Sequence, residues 1–389
     1  MSQLIPITEI CDFQGGTQPP KNEWIKDPED GYVRMLQIRD FTQPEKNNVE
    51  YVVLKKHTKT CKKEDILIGR YGASIGKICT GLEGAYNVAL IKTKPDLKRI
   101  NRRYLFHILQ SVYFQNFILS VGSRAAQAGF NKEDLTKFKI PLPPLKTQQH
   151  IAQILDDAAA LRDKTKQLLT EYDLLAQAIF LEMFGDPDSF EHFTIAEVAA
   201  KERYSLSSGP FGSNLTSKHY TEKGIVILRG TNVTSGILDL SNVKYVSEEK
   251  AVELKRSEIK PDDVVIVAVG SSGKALKIPS TLKRAIMSQN FNKITPDRSK
   301  VIPLYLEFCF NSQLVQNQFR TEMTDTVRTF LSLTKIKQVK IPIPPIELQN
   351  QFAEKIALIE QQKELAKQEL KESEDLFNAL LQKAFKGEL

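Results

Sequence analysis

The chain has 389 residues, of which 41% are apolar and 26% charged, and its formal net charge is +7. This composition is typical of a soluble globular protein, and the length predicts two or three domains. No apolar run approaches the ~20 residues that a membrane span needs, and the N-terminus lacks the features of a signal peptide. We therefore expect a cytoplasmic protein that does not bind a membrane.

The positive charge is unevenly distributed along the chain. Residues 145–186 contain four Lys or Arg against seven Asp or Glu, and residues 346–389 contain six against nine, so the rest of the chain carries all of the positive excess. Basic globular parts suit contact with a polyanion, whereas acidic segments suit contact with protein. A solvated basic surface without a partner is the alternative interpretation of the same charge.

Two halves of the chain repeat each other. The matching stretches are 48–52 with 242–246, 65–72 with 263–270, 104–105 with 305–306, and 139–145 with 340–346. Between these stretches the halves differ strongly, which is expected when insertions and substitutions collect in the loops of one duplicated fold. The repeat predicts one scaffold that carries two different surfaces.

Each half contains the same predicted elements in the same order: an entry element, a loop rich in Gly, Pro and Ser, short β-branched strands and a helical segment. In the first half they lie at 5–10, 15–20, 32–38, 66–68 and 102–119; in the second they lie at 194–198, 207–212, 225–228, 264–269 and 303–319. These patterns predict two mixed α/β domains.

A proline cluster follows each domain and precedes a long heptad pattern. Lys139–Leu145 reads KIPLPPL and Lys340–Ile346 reads KIPIPPI, and neither can continue a helix, so both are predicted to be extended connectors. The heptads after them predict two long helices that pair antiparallel in a coiled coil and relate the halves by a pseudo-twofold axis. The residues expected to pair them are Ile151, Leu155, Leu169, Ile179, Phe352, Ile356, Ile359, Leu370, Phe377 and Leu380.

The predicted organisation is therefore an α+β fold with two similar domains joined by two long helices. We place the first domain at 1–144, its helix at 145–186, the second domain at 187–345 and its helix at 346–389. A second apolar row beside the heptad of the first helix widens its apolar face. That width suits further helices from another protein, although a self-sufficient helical hairpin is the alternative.

Motifs for catalysis, cofactors and metals are missing from the sequence. The Pro-Pro pairs have apolar neighbours, where a methyltransferase tetrapeptide needs a polar residue to orient an amine. The turns at 72–77 and 270–274 end in lysine but fail the phosphate-loop spacing, so they are either backbone contacts for nucleic acid or plain hairpin turns. The four cysteines and five histidines show no ligand spacing, and we expect reduced thiols, no metal and no catalytic residue.

The proline connectors, each followed by a glutamine (Gln148 and Gln349), and the C-terminal run LLQKAFKGEL resemble those of type I restriction–modification specificity subunits over the whole chain. The resemblance implies a non-catalytic subunit whose two target recognition domains read a bipartite double-stranded DNA sequence. It also implies spacer helices that bind two methyltransferase subunits, with restriction subunits as further possible partners. S-adenosylmethionine would be bound by the methyltransferase, and no cofactor is expected in this chain.

The candidate DNA contacts are loop residues, because scaffold strands are committed to packing. They are Gln18, Lys21, Arg70, Tyr71, Ser74, Lys77, Arg124 and Gln127 in the first half, and Ser213, Asn214, Arg229, Ser272, Lys274, Arg328 and Thr329 in the second. Two alternatives stay open: a methyltransferase or nuclease that acts alone, and a DNA-binding scaffold or antirestriction decoy that binds partners through its coiled coil.

Overall fold

The computed structural model describes residues 4–46, 49–122, 129–234, 237–269, 273–322, 331–386 and 388. The chain forms two compact units, one built from two separate stretches and the other from one central stretch. Unit 1 contains Met1–Gln167 and Lys367–Leu389, and unit 2 contains Leu168–Ala366. Within the described part of the chain, none of the helices is long and apolar enough to cross a membrane.

The described residues of unit 1 begin with ten short strands and four α-helices. They are β1 Leu4–Pro6, β2 Cys11–Gly15, β3 Tyr32–Leu36, α1 Ile38–Thr42, β4 Tyr51–Val53, β5 Thr60–Cys61, β6 Leu67–Gly69, β7 Ile78–Cys79, β8 Gly84–Tyr86, β9 Leu90–Pro95, α2 Arg102–Gln110, α3 Val112–Gly122, α4 Lys132–Leu135 and β10 Lys139–Pro141. The long helix α5, Leu145–Phe184, follows and continues into unit 2.

The described strands of unit 1 form two four-stranded sheets and one short pair. The order β2-β9-β6-β7 is antiparallel throughout, whereas the order β4-β3-β8-β5 contains a parallel pair, β3 with β8. Strand β1 pairs with β10, which ties the start of the domain to the proline connector at its end.

Unit 2 repeats this arrangement. Its elements are β11 His192–Thr194, α6 Ile195–Val198, β12 Leu206–Ser208, β13 Ile225–Leu228, β14 Val233–Thr234, β15 Ile237–Leu238, β16 Lys244–Val246, α7 Glu248–Glu253, β17 Glu258–Ile259, β18 Val264–Val267, β19 Ala275–Lys277, β20 Ala285–Met287, β21 Phe291–Ile294, α8 Pro303–Asn311, α9 Gln313–Glu322, α10 Leu333–Gln338, β22 Lys340–Pro342 and α11 Ile346–Lys386. The sheets β12-β21-β18-β19 and β16-β13-β20-β17 and the pair β11-β22 correspond to those of unit 1.

A serine interrupts each helical segment that the sequence predicts as continuous. Ser111 has an extended backbone (φ −63°, ψ 148°) and separates α2 from α3, and its Oγ accepts a hydrogen bond from the backbone N–H of Phe114 at 3.2 Å. Ser312 has the same conformation (φ −67°, ψ 153°) between α8 and α9. The Ser111 side chain thereby caps a new helix, which is a favoured role for serine and explains the break there.

The described residues of each unit include a Lys–Asp pair at the same place in the sheets, half-buried in unit 1 and buried in unit 2. In unit 1 Lys92 Nζ lies 3.1 Å from Asp65 and donates to the carbonyl of Thr60 at 2.8 Å. In unit 2 Lys293 Nζ lies 3.8 Å from Asp263 and donates to the carbonyl of Glu258 at 2.8 Å. Because a buried charge is costly without a partner, this pair constrains both sheets in the same way.

The long helices α5 and α11 pack against each other within each unit, and they run antiparallel. In unit 1 the hydrophobic core joins Ile151 and Leu155 near the start of α5 to Phe377 and Leu381 near the end of α11. In unit 2 it joins Phe180 near the end of α5 to Phe352 near the start of α11, with ring centroids 5.6 Å apart. The predicted α+β class with two long helices and an internal repeat is confirmed.

A buried glutamine fixes each proline connector to its domain. The side-chain amide of Gln148 donates to the carbonyls of Arg99 (3.0 Å) and Pro143 (2.8 Å) and accepts from the N–H of Asn101 at 2.8 Å. Gln349 makes the same three bonds, with the carbonyls of Lys300 and Pro344 and the N–H of Ile302. Both side chains are fully buried, so each helix begins at a fixed point of its domain.

Candidate nucleic-acid interface

Three loops of unit 1 leave the sheets beside one turn, residues 87–89, between β8 and β9, and two of these loops carry candidate DNA contacts. Three strands are tied to this turn by backbone hydrogen bonds at their ends. Thr17 N–H donates to the carbonyl of Tyr86 at 3.0 Å, Asn87 N–H to that of Leu36 at 3.1 Å, and Arg70 N–H to that of Ala89 at 2.9 Å. The loops after β2, β3 and β6 therefore leave the sheets together.

Unit 2 has the same convergence at residues 288–290, between β20 and β21. Ser288 N–H donates to the carbonyl of Leu228 at 2.9 Å, Ala268 N–H to that of Asn290 at 2.7 Å, and Gly209 N–H to that of Phe291 at 2.9 Å. The loops after β12, β13 and β18 are the counterparts of those in unit 1. The scaffold is thus repeated, while the side chains that it presents differ.

Glycine is required where the first of these loops passes the turn. A Cβ atom on Gly16 would lie 2.1 Å from the carbonyl oxygen of Asn87, and one on Gly209 would lie 1.9 Å from that of Ser288. These distances are far below van der Waals contact, so only glycine permits the two backbones to approach this closely.

The Gly-rich turn at 69–77 in unit 1 closes the hairpin of β6 and β7. The amides of residues 74, 75, 76 and 77 all donate to carbonyl groups within this segment, at 3.0–3.3 Å. They are consequently not available to hold a phosphate in the way that a phosphate loop does. The side chains of the turn remain available: Ser74 is half-buried, and Lys77 is exposed.

Arg70 and Tyr71 lie next to each other at the start of this turn. The Arg70 guanidinium is 5.0 Å from the centre of the Tyr71 ring, and its Nε donates to the carbonyl of Phe130 at 3.3 Å. Tyr71 is 41% exposed and forms a β-bridge with Gly129. An exposed ring stacked on a guanidinium presents a flat apolar face beside a fixed positive charge.

Lys21 is a predicted DNA contact, and it belongs to a cluster that the sequence does not indicate. Lys21 Nζ lies 3.9 Å above the Trp24 ring and 2.5 Å from one oxygen of Glu50. The other oxygen of Glu50 accepts from Arg39 Nη2 at 2.5 Å and from Gln37 Nε2 at 3.2 Å. We name Lys21, Gln37, Arg39 and Glu50 the Glu50 cluster.

The Glu50 cluster stands at the converging loops, because Gln37 directly follows the end of β3 at Leu36. Burial alone would raise the pKa of Glu50, but Lys21 and Arg39 outweigh it and hold that pKa below its ordinary value. The carboxylate is therefore ionised at neutral pH and orients three donors. The repeat indicates Gln37 as a candidate DNA contact, because Gln37 follows β3 as Arg229 follows β13, and Arg229 is a predicted contact.

The candidates of unit 2 lie on the corresponding loops. Ser213 and Asn214 are exposed in a short turn after β12. Arg229 is half-buried, and its Nη2 donates to the carbonyl of Asn242 at 2.7 Å. Lys274 is half-buried and directly precedes the strand β19. Gln18 of unit 1 is exposed in the equivalent of the Ser213 loop. The role of each residue in DNA binding stays a prediction.

Five further candidates lie outside the described residues: Arg124, Gln127, Ser272, Arg328 and Thr329. The described residues that follow two of these segments lie beside the converging loops. Gly129 pairs with Tyr71 as stated above, and Leu331 N–H donates to the carbonyl of Ala268 at 3.1 Å.

The residues predicted to pair the long helices differ in burial. Ile151, Leu155, Phe352, Ile356, Ile359 and Phe377 are buried, whereas Leu169, Ile179, Leu370 and Leu380 are half-buried. Ion pairs flank them: Lys166 with Glu374 at 2.9 Å in unit 1, and Lys363 with Asp173 at 2.7 Å in unit 2. Their individual contributions to helix pairing stay predictions.

Reactive side chains are not gathered into a site in the described part of the chain. None of its His, Cys, Asp and Glu residues form a group that could hold a metal ion. All four cysteines are buried and free, and burial raises the pKa of Cys11 and Cys309 to about 12 and that of Cys61 and Cys79 to about 11. Such thiols stay protonated and are poor nucleophiles at neutral pH.

The family model of the type I restriction–modification DNA specificity domain matches residues 2–171 and, a second time, residues 187–374. The chain belongs to this family. The double match follows the internal repeat, and the family consists of targeting subunits that are not catalysts. The interpretation of the chain as a non-catalytic specificity subunit that recognises a DNA target is therefore confirmed, and the stand-alone enzyme is excluded.

Relatives and solved structures agree with this membership. The chain is 22% identical to the EcoBI specificity subunit of Escherichia coli over 84% of this chain and 74% of that protein. It resembles a chain solved in a type I restriction–modification system with a TM-score of 0.61, at 15% identity over 100% of this chain and 98% of the other. It resembles the S subunit from M. genitalium with a TM-score of 0.53, at 15% identity over 99% and 96%. Both solved structures share the fold.

Proposed function

We propose that each unit of this specificity subunit reads one half of a bipartite DNA sequence. The observation that supports this proposal is that three loops converge in each unit and present different side chains in the two units. Two copies of one scaffold with unlike surfaces suit two unlike half-sites that are separated by unspecified bases. Lysine and arginine would contact phosphates, and side chains at the converging loops would contact base edges.

The domains predicted from the sequence are proposed here as functional parts. Residues 1–144 and 187–345 would be the target recognition domains, and 145–186 and 346–389 the spacer helices. Exposed leucines on these helices, Leu161, Leu174, Leu358, Leu365 and Leu376, offer apolar contacts to partner proteins. We propose two methyltransferase subunits as those partners, with S-adenosylmethionine bound by them, and restriction subunits as further partners. This role places the chain in the cytoplasm, where the DNA is.

Sequencing that detects methylated bases tests this proposal in cells that express the chain with its methyltransferase. We expect a single motif of two short sequences with a gap of constant length. Arg229→Ala should relax only the half-site read by unit 2, and Gln18→Ala only the other, because their loops belong to different units. Methylation without a bipartite motif, or substitutions that relax both half-sites equally, would contradict the proposal.

A further inference from the structure

A pocket of about 190 Å³ opens beside the Glu50 cluster in unit 1, and cations dominate its lining. The residues that line it are Arg34, Arg39, Asp40, Gln43, Pro44, Lys46 and Leu82. Three of these carry a positive charge and one carries a negative charge. Arg39 belongs to both the pocket and the Glu50 cluster, so the two features adjoin.

The two arginines retain hydrogen-bonding capacity. Arg34 Nη2 donates to Asp40 at 3.2 Å, and Arg39 Nη2 donates to Glu50. Within the described ranges, the Nη1 atom of neither arginine has a hydrogen-bond partner, and the buried Nε atoms have none either. Each guanidinium is thus fixed by one carboxylate while part of its donor fork is unused.

The single acid of the pocket does not repel an anion strongly. Asp40 accepts from Arg34 and from the backbone N–H of Gln37 at 2.7 Å, and its side chain is only 5% exposed. Lys46 is exposed and adds a third cation to the lining. None of the described residues that line the pocket carries an aromatic ring that could stack a base. Two forked guanidinium groups and a lysine match the oxygens of a phosphate.

Unit 2 lacks this pocket chemistry at the corresponding positions. Thr231 stands where unit 1 has Arg39, and Asn232 stands where it has Asp40. The side-chain amide of Asn232 donates hydrogen bonds to the carbonyls of Asp239 and Asn242, both at 3.0 Å, so its N–H groups have partners within the protein. The cationic pocket is therefore a feature of unit 1 and not of the repeated scaffold.

We propose that the pocket formed by Arg34, Arg39 and Lys46 binds one backbone phosphate of the DNA duplex next to the half-site that unit 1 reads. The proposal rests on the proposed function. Arg39 joins the phosphate to the Glu50 cluster, so binding at the pocket fixes the position of Gln37 relative to the bases. Phosphate contacts of this kind set register without reading sequence.

A methylphosphonate scan tests this assignment with the full chain and its methyltransferase partners. Single phosphates around the target are replaced one at a time by the uncharged methylphosphonate, and affinity is measured for the wild type and for Arg39→Gln/Lys46→Gln. We expect one position at which the wild type loses affinity several-fold and the variant loses nothing further. The variant should also reduce the slope of log K against log salt by about 0.9, because one neutralised phosphate is lost.

Two comparisons keep the result unambiguous. Lys94→Gln/Lys98→Gln removes the same charge from exposed positions at and beyond the end of β9 that lies farther from the turn at 87–89, and it should leave the scan unaltered. The single variant Lys46→Gln changes only an exposed side chain. At the same phosphate, its effect on affinity and that of the methylphosphonate should also add up to less than their sum, although the difference should be smaller. If every position is additive in both pocket variants, the pocket does not bind DNA phosphate.

The outcomes also separate this proposal from the function on which it rests. The wild type could bind DNA without selecting the half-sites while the scan still identifies one phosphate that the pocket binds. That result would overturn the proposed function and leave the pocket assigned to phosphate. Selective binding with an additive scan would overturn the pocket alone. Inorganic phosphate that binds the wild type but not the double variant in ³¹P NMR, together with an additive scan, would assign the pocket to a free phosphate and overturn the assignment to DNA.

Discussion

Gln148 shows how a single side chain fixes the direction in which a helix leaves its domain. Gln148→Glu removes two N–H donors and places a carboxylate oxygen against the carbonyls of Arg99 and Pro143. Since each unsatisfied buried polar group costs about 1–3 kcal/mol, we expect unit 1 to lose roughly 3 kcal/mol of its free energy of unfolding. Urea unfolding followed by the fluorescence of Trp24, the single tryptophan of the chain, measures this in unit 1.

The neighbouring residue supplies the matched control. Gln149 is exposed on the same helical turn, so Gln149→Glu makes the same chemical change without burying a charge. It should leave the transition of Trp24 within about 0.5 kcal/mol, as surface substitutions usually do. Gln349→Glu should affect unit 2 and shift the Trp24 transition less than Gln148→Glu. Equal effects of Gln148→Glu and Gln149→Glu would contradict the role of Gln148.

His107 makes the stability of unit 1 depend on pH. Its Nε2 lies 2.8 Å from Asp156, which Arg103 also binds, and its Nδ1 is buried with no partner among the described residues. Burial lowers the pKa of His107, and the hydrogen bond with Asp156 opposes this only in part. The unfolded chain therefore binds the proton more readily, and stability falls as the pH falls below the ordinary pKa of about 6.5.

The second unit suggests the substitution that tests this. Phe308 stands in α8 where His107 stands in α2, and it packs 5.1 Å from the ring centre of Phe352. His107→Phe should leave Asp156 paired with Arg103 and should reduce the loss of stability between pH 7.5 and 5.5. Urea unfolding of both proteins at the two pH values measures the difference. An unchanged pH dependence would show that another group causes it.

At the scale of elements, much of the fold followed from periodicity and repetition. The heptads predicted α5 and α11 because a long amphipathic pattern is the most specific local signal in the chain. The breaks at Ser111 and Ser312 were missed, since the apolar spacing continues across them and only the capping geometry separates the helices. The pairing of β3 with β8 joins residues far apart in the chain, and local propensity does not specify it.

The candidate interface was predictable in its loops but not in its contacts. Sequence reasoning chose Gly/Pro/Ser loops, and the structure brings the loops after β2 and β6 to one turn. Arg39 and Glu50 were not predictable, because a carboxylate in a basic domain gives no sign of the donors that it binds, and Gln37 was indicated only by its match to Arg229 in the repeat. Those contacts form because β4 pairs with β3, and local sequence patterns do not specify which strands pair.

At the scale of the whole molecule, the two long helices are the only elements shared by both compact units in the described chain. Helix α5 contributes its first part to unit 1 and its last part to unit 2, and α11 does the reverse. Each recognition domain is fastened to the first turn of its own helix by a buried glutamine. The proposed function therefore assigns the length of the unspecified gap to the helices and the half-site sequences to the loops.

Lengthening a helix tests this division of roles. Four residues inserted after Leu168 add about 6 Å of helix, which corresponds to one or two base pairs at roughly 3.4 Å each. We expect the methylated motif to keep both half-site sequences and to gain one or two unspecified bases, because the loops at each turn are untouched. Four residues inserted in the exposed loop after Lys56 form the control and should leave the gap unchanged. If the insertion after Leu168 changes the recognised bases instead of the gap, the helices do not act as the spacer.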